Sequence, residues 1–150
     1  MNITITPTDV SEITRRIQEI LQDHPNLQEA TVERSAEFND IPGRCPWLCI
    51  YRLGVDYPIR TLGLGTGFRT QRVELMIYAQ ESDGTDPAEC EERLEQLVVH
   101  CISALLSDPT LRGMVDTIDE FKVSYVDYDK SEAGYTQTAA ITFTALMTTK

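Results

Sequence analysis

The second half of this chain alternates in a way that leaves few folds open. Val73, Leu75, Ile77 and Ala79 interleave with Arg72, Glu74, Met76 and Tyr78, the period-two pattern of a half-buried strand predicted over residues 69–78. A helix over residues 87–106 follows, with Asp86 placed to cap its amides, Pro87 at the first helical position and Glu89 two residues on, where an acid complements the helix dipole. Leu94, Leu97, Val98, Cys101, Ile102 and Leu105 fall on one side of that helix and Glu91, Glu92 and Glu95 on the other. Asp108-Pro109 stops it. Two more strands are predicted over residues 120–128 and 135–148, with Phe121, Val123 and Tyr125, then Ala139, Ile141, Phe143, Ala145 and Met147, on their inward faces. A helix apolar on one side among strands apolar on one side demands that they cover each other.

The first half adds a helix and strands to the same plan. MNITI reads as a short strand or an extended arm, after which Thr6 suits a helix cap, Pro7 the first helical position and Asp9 the third. Val10, Ile13, Ile17, Ile20 and Leu21 form one stripe, and Asp23-His24-Pro25-Asn26 ends it. Strands are predicted over residues 30–37 and 47–53, separated by the turn-rich Asn39-Asp40-Ile41-Pro42-Gly43. In the second of these, Trp47, Cys49, Tyr51 and Leu53 alternate with Leu48, Ile50 and Arg52, which predicts cover on both faces and a central place in the sheet. Residues 81–85 read as a polar connection and residues 127–134 as an exposed hairpin tip. The resulting expectation is an α+β fold, a mixed or mainly antiparallel sheet of about four to six strands with two main helices packed on one face. Residues 1–150 form a single domain in this reading.

Composition narrows the function classes. At 150 residues and 41% hydrophobic content, the chain buries a core without disulfide or metal staples. No apolar run reaches the roughly 18–20 residues that span a bilayer, and the opening residues lack the basic and apolar regions of a signal peptide, so the expectation is a protein folded in a cytoplasm with no membrane contact. Cys45, Cys49, Cys90 and Cys101 lack the density of a secreted disulfide framework and are expected as thiols. A net charge of −11 disfavours wrapping DNA, because duplex affinity comes mostly from cations neutralising phosphates. The same sign suits a wall past which DNA slides without sticking.

Catalytic and cofactor motifs are missing from the pattern. Gly63-Leu64-Gly65-Thr66-Gly67 precedes a strand, whereas a phosphate cradle runs from a strand into a helix, and no Lys-Ser/Thr pair accompanies it. Cys45 and Cys49 are four apart, the wrong spacing for a zinc knuckle or a redox pair, and no second Cys or His pair stands at ligand spacing. Cys90 and Cys101 lie three turns apart on one helix. His24 and His100 have no recognisable nucleophile beside them. Asp83-Gly84-Thr85-Asp86 and Asp127-Tyr128-Asp129 offer fewer oxygens than a calcium loop requires and read as a capped turn and a solvated hairpin. The expectation is no enzyme, no cofactor and no metal. Arg44, Arg52, Arg60, Arg69 and Arg72 gather around the glycine-rich stretch, while Glu89, Glu91, Glu92 and Glu95 line one helix face. That separation suits either ordinary mixed surface charge or head-to-tail pairing of copies, which makes rings when the rotation closes.

The residues 68–78, FRTQRVELMIY, the helix 86–106, the link Ser107-Asp108-Pro109-Thr110-Leu111-Arg112-Gly113 and the closing strand 135–148 together resemble the tail terminator proteins of long-tailed bacteriophages, also called tail completion or tail-to-head joining proteins. The likeness covers the second half of the chain by residues and the first by its order of elements. It implies a small α/β domain that assembles into a ring, usually a hexamer, which caps the tail tube, stops its polymerisation and presents a surface to the DNA-filled head. The implied partners are other copies of the chain, the tail tube protein and the head-tail connector or neck proteins, with genomic DNA passing an acidic lumen unbound. The implied location is the virion tail or neck, reached from the host cytoplasm. Residues 45–67 and 127–134 match nothing in the family, which has no catalytic residues to carry over. Loop position and charge select Arg60, Arg69, Arg72, Glu91, Glu92 and Glu95 for subunit contact, and Asp127, Asp129, Lys130 and Glu132 for docking to tube or neck.

Two other readings remain open from sequence. One is another neck component, of the head-completion or stopper type. The other is a small ligand-binding domain or enzyme built around the strand of Cys45 and Cys49 and the loop of Gly63–Gly67.

Overall fold

A computed structural model describes residues 9–35, 45–56, 69–83, 85–131 and 134–149. The elements are α1 (Val10–Asp23), a 3-10 turn (Pro25–Leu27), β1 (Thr31–Arg34), β2 (Trp47–Asp56), β3 (Arg69–Asp83), α2 (Pro87–Leu106), β4 (Thr117–Ser131) and β5 (Gly134–Thr149). Among the described residues the strands form one sheet in the order β1-β2-β3-β5-β4, with β1 parallel to β2 and every other pair antiparallel. The fold is α+β with a mixed sheet, as its patterns predict.

Alternation explains which side of the sheet is covered. Val73, Leu75, Ile77 and Ala79 on β3 line up with Ala145, Phe143, Ile141 and Ala139 on β5, and all eight are buried. They join Ile13, Ile17, Ile20 and Leu21 of α1 and Leu94, Leu97, Val98, Cys101 and Leu105 of α2 in one core, so both helices pack on the same face. Each buried aliphatic side chain is worth about 1.5–3 kcal/mol relative to exposure, which makes this layer the main source of stability. Arg16 of α1 donates to the Leu111 carbonyl at 3.3 Å, and Arg112 pairs with Asp23 at 2.7 Å, tying the link after α2 back to α1. Gly113, at φ +85°, occupies the left-handed region that this link needs.

Several boundaries move. The first helical residue is Val10, and Asp9 caps α1 by accepting from the Ser11 amide at 2.9 Å, so Asp9 is the cap and not the third helical residue. The expected cap at Thr6-Pro7 and the arm before it lie outside the described residues, as do the turn 39–43, the glycine-rich 63–67, Arg44, Arg60 and Glu132. The strand 30–37 is shorter: β1 ends at Arg34, and Ser35 turns away at φ 52°. β2 is longer, reaching Asp56 through a register shift between Arg52 and Gly54, and only its first part is covered on both faces. Trp47, Leu48, Cys49 and Ile50 are buried there, whereas Leu53 is exposed.

Polar residues hid the ends of the longest strands. Residues 81–83, expected as a connection, continue β3, because the ladder to β5 runs unbroken to Asp83 opposite Tyr135. Residues 127–131, expected as a loop, belong to β4, whose pairing continues to Ser131 opposite Gly134. Tyr125 shares the register of the core row but is 59% exposed, standing on the edge strand β4.

Candidate assembly surface

The residues selected for subunit contact divide between the two faces of the sheet. Arg72 pairs in register with Asp56 on β2 and Leu146 on β5, on the face turned away from the helices. Glu91, Glu92 and Glu95 stand exposed on α2, on the opposite side of the sheet. The structure therefore does not bring these groups together within one chain. Arg69 begins β3, and Asp127, Asp129 and Lys130 sit in the β4 end of the long hairpin, Asp129 opposite Thr136, Lys130 opposite Tyr135 and Asp127 within the register shift before them.

Arg72 has a neighbour that sequence reasoning missed. Between Asp119 and Lys122 the β4 ladder shifts register, and Glu120 takes φ 58°, a conformation that non-glycine residues adopt at some strain. The bulge lets Phe121 stack on Phe143 on the helix side, with ring centroids 5.1 Å apart, while the Glu120 carboxylate pairs with Arg72 and accepts from the Thr144 hydroxyl at 3.4 Å. Both charged side chains are more than a third exposed, so water and salt screen the pair and it contributes under about 1 kcal/mol. A bulge cannot be read from composition, since Asp119-Glu120 looks like any polar pair.

On the helix side, α2 begins where its capping residues predict: Asp86 accepts from the Ala88 amide at 3.0 Å, and Pro87 opens the helix. Just before it, Asp83 accepts from the amides of Thr85 at 2.9 Å and Asp86 at 3.0 Å, which holds its carboxyl below the usual range, with Arg93 adding to the effect. Arg93 lies 3.5 Å from Asp83 and 3.6 Å from Glu89, crossing the acidic face. Glu95 accepts a hydrogen bond from the Tyr125 hydroxyl on β4, and that bond raises the phenol above its ordinary value. One of the three glutamates is thus fastened to the sheet's edge strand, and Glu91 and Glu92 make no ion pair among the described residues.

Beside these acids lie exposed apolar side chains. Val99 and Leu106, seven apart and so on one stripe of α2, are 50% and 53% exposed, and Tyr125 stands near the same flank through its bond to Glu95. The signal was present in the sequence, since Val99 and Leu106 flank the buried stripe of Val98 and Leu105, but periodicity alone does not say where cover stops.

The thiols among the described residues are shielded. Cys101 is wholly buried and its thiol is pushed up to about 12, while burial also raises Cys90, whose Sγ lies 3.4 Å from the Glu81 carbonyl oxygen. Thiols raised in this way are poor nucleophiles. Cys45 Sγ lies 3.9 Å from Gln80 Oε1, and no disulfide joins the four cysteines. Among the described residues no group of three His, Cys, Asp or Glu side chains is gathered as a metal site. No helix among them is long and apolar enough to cross a membrane. Neither a scan against family models nor a search of curated proteins matches this chain.

Proposed function

We propose that this chain is a structural protein of the tail-terminator type, whose copies join head to tail into a ring that caps a phage tail tube, ends its growth and joins tail to head. The observation that carries the reading is the placement of Arg72 and the α2 glutamates on opposite sides of a two-layer body, where only another copy can bring them together. A contact between unlike faces is the kind that closes into rings. The weak, screened pair of Arg72 with Glu120 leaves that arginine available to a stronger, more buried partner. Exposed Val99 and Leu106 beside the glutamates add apolar area that a neighbour would cover. The acidic balance of −11 suits a lumen through which DNA moves without trapping, and the residue likeness of the second half to tail terminators supplies the biological setting.

Light scattering across concentration and salt, with negative-stain images of the same fractions, tests the reading. Rings of about six subunits, formed alone or on addition of tube protein, are the expected result. Arg72→Glu and Glu92→Lys should each abolish rings while the fold persists, since exposed substitutions usually change stability by no more than about 0.5 kcal/mol. A compact monomer that neither forms rings nor binds tube ends rejects the proposal. Rings that bind connector but not tube protein would move the chain to a stopper role in the neck.

A further inference from the structure

Glu81 is a carboxylate in an unusual place. It follows Ala79 on the helix side of β3, sits opposite Gln137 of β5 and is 6% exposed. No hydrogen bond or ion pair reaches its side chain among the described residues. Arg93, which lines the same cleft, pairs with Asp83 and Glu89. Burial accordingly pushes the Glu81 carboxyl above its ordinary value, with Arg93 opposing the shift. Its oxygens still reach solvent through the opening beside them, so the carboxylate is desolvated on one side and able to accept donors from an entering group on the other.

The side chain opens into a cleft of about 480 Å³ between the segment after α1, the start of β2 and α2. Pro25, Pro46 and Leu97 give it apolar walls, while Glu29 and Gln96 add acceptors at its rim. A hydrated metal ion is a poor match for apolar walls and one buried carboxylate, since hard cations take six or more oxygens. A guanidinium suits it better: the group is planar, weakly hydrated, stacks on flat apolar surface and engages a carboxylate through two parallel N–H donors.

We infer that this cleft is a binding site for a guanidinium group, held by the Glu81 carboxylate against Leu97 and flanked by Glu29 and Gln96. The group belongs either to a small molecule or to an arginine side chain of another copy of the chain, and both present the same chemistry to Glu81. Arg93, which also lines the cleft, stays with Asp83 and Glu89, and those two carboxylates offset its repulsion of an entering cation. The site stands independently of ring formation.

The test titrates the full chain with N-acetyl-arginine methylamide and follows backbone amide resonances. Saturable shifts confined to Ala30, Glu81, Gln96 and His100 are expected, with N-acetyl-lysine methylamide binding at least fivefold more weakly. Glu81→Gln should weaken the arginine probe at least tenfold. Gln96→Arg, at an exposed position that leaves the core intact, plants a guanidinium at the cleft and should weaken the probe to a similar degree. Equal affinity in wild type and Glu81→Gln, or shifts spread along the outer face of α2, would overturn the inference. Light scattering on the same variants identifies the source: self-association lost with Glu81→Gln assigns the group to a second copy, and probe binding lost with self-association unchanged assigns it to a small molecule. A chain that never forms rings yet binds the probe through Glu81 keeps this site while rejecting the ring.

Discussion

Replacing Glu81 by methionine should make the unliganded protein more stable, and by an amount that depends on pH. Methionine has nearly the length of glutamate and no polar atoms to satisfy, so it removes the unpartnered carboxylate without opening a cavity. A buried polar group left unsatisfied costs about 1–3 kcal/mol, and because the Glu81 oxygens keep solvent contact and Arg93 attracts them, the cost here is at most about 1 kcal/mol near neutral pH. The folded state holds the Glu81 proton to a higher pH than the unfolded state, whose carboxyl titrates near 4.5. Wild-type stability therefore falls relative to the variant as pH rises from 4.5 through the raised folded value, and below 4.5 the two differ little. Urea unfolding measures this directly. With a slope of about 2 kcal/mol per molar urea for a domain of this size, the variant's midpoint should lie higher by up to about 0.5 M at neutral pH. The experiment belongs at protein concentrations where scattering shows single copies, because assembly would add its own stabilisation. A variant less stable than wild type at neutral pH, or a difference that stays flat across the titration range, would refute the account of Glu81 as a buried group lacking its partner.

Ile77→Ala, at a wholly buried site between Ile50 and Ile141, should lose about 2–5 kcal/mol in the same assay, whereas Met76→Ala, half-buried on the other face, should lose clearly less; equal losses would show that the helix face is not the main core. Asp86→Ala removes the acceptor of the Ala88 amide and should cost about 1 kcal/mol, read as a lower midpoint with an unchanged slope. In native protein at mildly alkaline pH, a thiol reagent should modify half-buried Cys45 first, with Cys90 and Cys101 reacting only after denaturant is added; prompt labelling of Cys101 would contradict its burial.

The patterned elements were legible because burial imposes a period. β3, α2 and β5 carry uninterrupted alternation or helical stripes, and α2 matches its expected span from Pro87 to Leu106 because Asp86, Pro87 and Asp108-Pro109 mark both ends. The misjudged ends are polar stretches held by pairing across the sheet. Glu81, Ser82 and Asp83 have the composition of a loop, yet each lies opposite a β5 residue, and a ladder formed with a strand more than fifty residues away leaves no local trace. The candidate assembly surface was half visible. Charge separation showed in the sequence, but the bulge that places Glu120 beside Arg72 and the bond of Glu95 to Tyr125 arise only from register. The cleft at Glu81 was invisible for the same reason: an acid among polar neighbours looks solvated until the sheet buries it.

The placement of β5 between β3 and β4 also governs when this protein can exist. β5 emerges from the ribosome last of the five strands, yet it is the one that joins β4 to the rest of the sheet, and its rungs with β3 close loops that enclose α2 and β4. Non-local pairing of this kind folds slowly, in milliseconds to seconds, because a long loop must be closed before any contact rewards it. Until then α2 has half of its floor missing and β4 has no neighbour at all. A nascent chain therefore has no finished sheet until β5 has paired with β3 and drawn in β4.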